Sequence, residues 1–215
     1  MVDAMHPTDI VLDHPWVAPA LWIVLHSLDY SLTLVGARLR LRGADKVFVV
    51  EGSYELNPLF QKVIDRQRWI SVRFIVTLLG LAAALYVVAL TCPGHDVADG
   101  LGLVLGVVVF TRVAVIGRHL HNIWLYRRVV RRPDAVTGSI RYDRPTVYAI
   151  TSSTYLHYAV LLALAAAVVS DPWIIGGALG NAMIALYSSI LGWRSGRRQS
   201  RAVSAIPSTS PDDRS

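Results

Sequence analysis

Residues Leu25 to Arg42 read LHSLDYSLTLVGARLRLR, a largely apolar run that carries His26, Asp29 and Thr33 and ends in Arg38, Arg40 and Arg42. An ionised group near the centre of a membrane-spanning helix costs about 2.5 to 3.5 kcal/mol, so Asp29 must face protein, a partner charge or water. The three polar residues are spaced i, i+3, i+7 and share one helical face.

Hydrophobic residues make up 53% of the 215 and charged residues 17%, with a mean hydropathy of +0.45, which is too apolar for an ordinary soluble domain. Apolar runs fall at about 17–37, 69–92, 100–124, 146–170 and 173–193, and each approaches the ~20 residues that cross a bilayer core. The expected fold is all-α: a polytopic membrane bundle of five transmembrane helices forming one domain over 16–193. An outer polar leader occupies 1–15 and a disordered tail, rich in Ser, Pro and Asp, occupies 194–215.

The charges orient this bundle, because Lys and Arg near span ends stay cytoplasmic. None occurs in 1–37, 92–111 or 145–193, and all but Arg73, Arg112 and Arg118 fall in 38–68, 125–144 or the tail from Arg194. The expected N-terminus is outside and the C-terminus cytoplasmic, which sets the chain in the plasma membrane as a multi-pass protein. Trp16 and Trp173 mark the outer ends and Trp69, Trp124 and Trp193 the inner ones. The formal +6 is thus topology and contact with anionic inner-leaflet lipid, and no recognition motif accompanies it to indicate nucleic acid. Residues 1–15 lack the basic start of a signal peptide, and the lone Cys92 excludes an intramolecular disulfide.

Between the first two spans, Val47–Val50 is apolar and Asn57-Pro58 reads as a helix start, with a cytoplasmic interfacial amphipathic helix expected over about 58–68. Glu55 and Asn57 then stand at the inner mouth of the bundle. The motif L-D-x-x-x-T (Leu28, Asp29, Thr33), followed by E-x-N-P-L (Glu55, Asn57, Pro58, Leu59), resembles a family of small polytopic prokaryotic membrane proteins catalogued only as a domain of unknown function. The likeness covers about the first 125 residues, with Asn122 standing for a later intramembrane Asn. It implies a fold built around Asp29, Glu55 and Asn57 and brings no activity with it; the histidines are not part of its pattern.

Arg73 stands one turn inside the second span, where it can snorkel to the interface or pair with Asp29 or Glu55. Arg112 lies twelve residues above Trp124, about 18 Å at helical rise, too deep to snorkel. Asp29 is the one carboxylate inside an expected span, which predicts an Asp29–Arg112 contact. Arg112, His119 and Asn122 share a face, with Arg118 and His121 beside it. The fourth span is polar only in its first half, where Ser153 and His157 are i, i+4 neighbours. A Ser–His pair without an orienting acid or oxyanion donors is no nucleophile site, and no catalytic residue or cofactor is assigned. The turn Cys92-Pro-Gly-His95-Asp96 holds metal-capable residue types but reads as an ordinary turn, and the glycines of the fifth span read as a packing face.

These polar residues gather in the cytoplasmic half, which predicts a cavity closed on the outer side. Three functions fit it. One is binding or transport of a small anionic or amphiphilic, lipid-like ligand by Asp29, Thr33, Glu55, Asn57, Arg73, Arg112, His119, Asn122, Ser153 and His157. Another is an accessory or structural subunit of a homo-oligomer or larger membrane complex. The third is an intramembrane metal-dependent enzyme; no metal is favoured, and its ligands would come from His26, Asp29, His119 and His157, with His121 and Glu55 adding further donors.

Overall fold

A computed structural model describes residues 6–51, 55–57, 59–91 and 98–204. The chain is helical nearly throughout: α1 (Pro7–Asp13), α2 (Val17–Leu41), α3 (Gln61–Asp65), α4 (Val72–Thr91), α5 (Ala98–Arg131), α6 (Arg144–Val169) and α7 (Pro172–Ser204). Five of these, α2, α4, α5, α6 and α7, are long and apolar enough to cross a membrane, which marks the chain as a membrane protein. Their ends follow from local chemistry. Asp143 caps α6 by accepting the Thr146 amide at 2.9 Å, with Pro145 in the first turn. Gly43, at φ +127°, turns the chain out of α2.

The five long helices pack in the order α4, α2, α5, α7, α6. Helix α2 is the most enclosed, and α6 leaves Leu161, Leu164 and Val168 exposed along its outer flank. The α5–α7 pair packs closely. A Cβ on Gly176 would fall on the Leu103 carbonyl, and one on Gly106 would fall on that of Trp173, so these two helices touch backbone to backbone.

The apolar and polar halves of the bundle are separate. Where α2 and α5 begin and α4 ends, Val11, Ala18, Trp22, Leu85, Ala89, Leu101 and Leu105 form a dry cluster. Helix α1 lies over it, so the described part of the leader is packed against the bundle. Thr8 and Val11, three residues apart, are both 2% exposed. The Trp173 indole N–H donates to Thr8 Oγ1 at 2.8 Å and His6 Nε2 contacts Asp171 Oδ2 at 3.1 Å. The Asp171 carboxyl is held below its ordinary value: burial raises it, but His6 and the amides of Trp173 and Ile174 outweigh that.

At the opposite, arginine-rich end the structure departs from expectation three times. The expected helix over 58–68 is only α3, and Pro58 lies outside the described residues. Asn57 Oδ1 accepts the Leu59 amide at 3.1 Å in a turn, the helix starts at Gln61, and Gln67 at φ +52° ends it. It lies against α2, with Ile64 1% exposed among Tyr30, Leu34, Ala37 and Phe74. The chain from Arg194 continues α7 to Ser204 instead of unravelling, because Arg and Gln favour helix and Arg197 stacks 4.4 Å over Trp193; residues 205–215 lie outside the described set, as does the turn from Cys92 to Asp96. Finally, a parallel two-stranded ribbon joins β1 (Phe48–Val50) to β2 (Ile140–Tyr142), pairing Phe48 with Ile140 and Val50 with Tyr142. This ribbon straps the first long connection to the one between α5 and α6.

Candidate functional site

Asp29 stands twelve residues from either end of α2, and α5 brings two groups to it. Arg112 Nη1 donates to Asp29 Oδ2 at 2.5 Å, so the expected pair exists. His119, two turns further along the same face of α5, places Nε2 3.3 Å from Asp29 Oδ1 and 3.1 Å from Thr33 Oγ1. Thr33 spends its single hydroxyl proton on the Asp29 carbonyl at 2.9 Å, which makes His119 Nε2 the donor to both oxygens. The carboxylate is thereby satisfied on both sides, the condition under which a buried charge is tolerated.

Aromatic rings back this cluster. The Arg112 guanidinium lies 4.8 Å over the Trp22 ring, whose indole N–H donates to the Leu78 carbonyl at 3.0 Å. His26 is stacked between Trp22 and Phe74, at 4.6 and 5.3 Å, and neither of its ring nitrogens has a hydrogen-bond partner among the described residues. The Tyr30 hydroxyl donates to the Arg68 carbonyl at 2.6 Å, holding the entry to α4 against α2.

Beside the cluster lies a cavity of about 520 Å³, lined by Asp29, Tyr30, Thr33, Arg112, Arg118 and His119, by Tyr148, Thr151 and Tyr155 of α6, and by Tyr187 and Ser188 of α7. Glu55, Leu56 and Asn57 line its arginine-rich end. The Asn57 amide donates to Glu55 Oε1 at 2.7 Å and the Tyr148 hydroxyl donates to the Leu56 carbonyl at 3.4 Å. Burial pushes the Glu55 carboxyl above its ordinary range; Asp29 adds to that, while the Asn57 amide, His119 and Arg118 pull the other way.

Arg118 is the cation this cavity leaves least satisfied. Its guanidinium lies 5.4 Å over the Tyr155 ring and donates only a long, 3.4 Å hydrogen bond to Thr151 Oγ1. No carboxylate forms an ion pair with it among the described residues, whereas Arg112 is committed to Asp29.

The other expected site residues divide. Asn122, with His121, lines a second cavity of about 580 Å³ between α5 and α6, which shares Glu55, Leu56, Arg118, His119 and Thr151 with the first. Arg73 is not part of the site. It is exposed at the start of α4, donates to the Leu59 carbonyl and lines a surface groove with Lys62, Arg66 and Arg68. Ser153 and His157 are also exposed, and His157 Nδ1 meets only the Ser153 carbonyl, at 2.7 Å. The reason is angular: Tyr148, Thr151 and Tyr155 occupy the inner face of α6, and Ser153 and His157 each follow an inner residue by two positions, about 200° round the helix. Of the four residues expected for a metal site, His157 is thus outside and His26 is packed between rings. Among the described residues no three His, Cys, Asp or Glu side chains converge as a ligand set.

Tyr155, Thr151 and Tyr148 were legible as a helically spaced polar stripe, and Arg118 as the neighbour of the Arg112 face. What the spacing lacked was the partner helix. The geometry defines an all-helical membrane protein with an ion-paired polar centre inside its spans. No family model, curated protein or solved structure matches this chain.

Proposed function

We propose that this chain is a multi-pass protein of the plasma membrane that binds, or carries, a small anionic or amphiphilic ligand in the cavity between α2, α5, α6 and α7. The arginine-rich end is the cytoplasmic one by the positive-inside rule, so the cavity opens toward the cytosol or the inner leaflet and is sealed outside by the cluster beneath α1. Asp29, Thr33, Arg112 and His119 form the rigid floor. Ligand contact falls to Arg118, Thr151 and Tyr155, with Glu55 and Asn57 at the gate. The L-D-x-x-x-T and E-x-N-P-L motifs then mark floor and gate of one site, in keeping with the resemblance they carry.

The observation that supports this is Arg118. A guanidinium within a membrane-spanning helix, with no ion pair among the described residues and a cavity in front of it, is suited to an anionic group from outside the chain. The test is native mass spectrometry of the protein released from its own membranes. Wild type and Arg73→Gln should retain a co-purifying anionic molecule that Arg118→Gln loses while keeping its helical circular dichroism. Equal retention by Arg118→Gln refutes the reading.

A further inference from the structure

The second cavity gives the ligand an entrance and a chemical class. It runs along α5 from Gly117 to Tyr126, about 13 Å at helical rise, roughly the depth of one leaflet. Its other wall is Val147, Ile150, Thr151, Thr154 and Tyr158 of α6, its arginine-rich end is walled by Arg40, Glu55 and the ribbon residues Phe48, Val50 and Tyr142, and no side chain of α7 lines it. Helices α5 and α6 are each held by α7, which leaves this groove open on the flank of the bundle. Ile150 and Tyr158 line the groove and are nevertheless 50% and 37% exposed, so it is open at the surface of a helix long and apolar enough to span a membrane, where a bilayer presents hydrocarbon.

Polarity is graded along it. Asn122 and Thr151 lie in its middle and Arg118 near its inner end, where the lining stops at Gly117 and Tyr158; the helix surfaces beyond carry the exposed Val113 and Leu161. Gly117 has no packing role. A Cβ there meets nothing within 4 Å, unlike those of Gly106 and Gly176, which would strike a neighbouring backbone. A glycine in mid-helix costs about 1 kcal/mol relative to alanine, and here the missing side chain leaves an apolar channel just inside the cation.

We infer that the groove between α5 and α6 admits an anionic lipid sideways from the bilayer, its headgroup at Arg118 and its hydrocarbon passing over Gly117 and along Tyr158 toward the membrane interior. The inference rests on the proposed anion site at Arg118 and adds the class of ligand and its route. A water-soluble anion would use the same guanidinium and hydroxyls but has no need of the Gly117 channel.

Purified protein in phosphatidylcholine nanodiscs separates these cases, with phosphatidic acid as the lipid probe, read by native mass spectrometry, and inorganic phosphate as the soluble one, read by the shift in melting temperature. Wild type should retain phosphatidic acid over phosphatidylcholine. Gly117→Trp, whose Cβ would meet no atom within 4 Å, should lower that retention about tenfold or more while keeping the response to phosphate. Thr154→Trp, on the opposite wall, should do the same; its hydroxyl bonds only to its own helix, at Ile150. Arg118→Gln should lose both ligands. If the two tryptophan variants retain phosphatidic acid like wild type, or wild type responds to phosphate alone, the lateral route is wrong and the anion site stands. If Arg118→Gln binds both probes like wild type, or wild type binds neither, the site and the route fall together.

Discussion

Removing both partners of the Asp29–Arg112 pair should cost far less than the sum of removing each alone. The carboxyl side chain is 12% exposed and the guanidinium 26%, so water screens the pair little at Asp29 and somewhat more at Arg112. Breaking a buried pair by deleting one member costs about 3–5 kcal/mol, because a charge is left without its counterpart. Asp29→Ala leaves Arg112 with only the Trp22 face and sits near the upper end, about 4 kcal/mol. Arg112→Ala leaves Asp29 its His119 and Thr33 contacts and sits lower, about 3 kcal/mol. The double variant strands no charge and should cost about 4 kcal/mol rather than the additive ~7, a coupling of about 3 kcal/mol. Reversible unfolding in bicelles, followed by near-ultraviolet circular dichroism across the four proteins, measures the cycle. Strict additivity would mean that the contact contributes no coupling and that Arg112 is satisfied some other way, which would undo its assignment to the floor of the site.

Two further outcomes follow from the packing and the gate. Gly176→Val should abolish a monodisperse species on size exclusion, because its side chain must displace the Leu103 carbonyl of α5, and overpacking of this kind costs about 1–3 kcal/mol or more; Gly117→Ala should elute like wild type. For Glu55, the folded carboxyl titrates above its ordinary value near 4.5, so the folded state binds the proton more tightly than the unfolded one. The associated stability is complete below about 4.5 and is lost as pH rises through the raised value. Melting temperature should therefore fall over that window in wild type and stay flatter in Glu55→Gln; superimposable profiles would show that Glu55 is not buried at the gate.

Much of the architecture could be read from the chain alone, for a reason that is local. Hydropathy over twenty residues is a one-dimensional property, and it picked out α2, α4, α5, α6 and α7 to within a few residues at most ends. It failed at the ends of α5 and α7, where basic but helix-favouring stretches carry the helices on to Arg131 and Ser204. The Asp29–Arg112 pair was also legible, since two charges at similar depth in hydrocarbon have few ways to be neutralised.

The tertiary structure decided what depends on which face meets which neighbour. Arg73 and Arg118 look alike in sequence, each an arginine inside an apolar run. Only the packing order of the helices sends Arg73 to a surface carbonyl and Arg118 to a cavity. Ser153 and His157 have the spacing of a working pair, yet α7 packs against the other side of α6 and leaves them outside. The ribbon joining Phe48 to Ile140 closes over a long separation with three residues on each strand, too short for any periodic signal. By itself the sequence determined that a charged, one-sided polar centre exists within the membrane spans. Which residues line it was settled by contacts between segments far apart in the chain, and such contacts leave no mark in the local pattern.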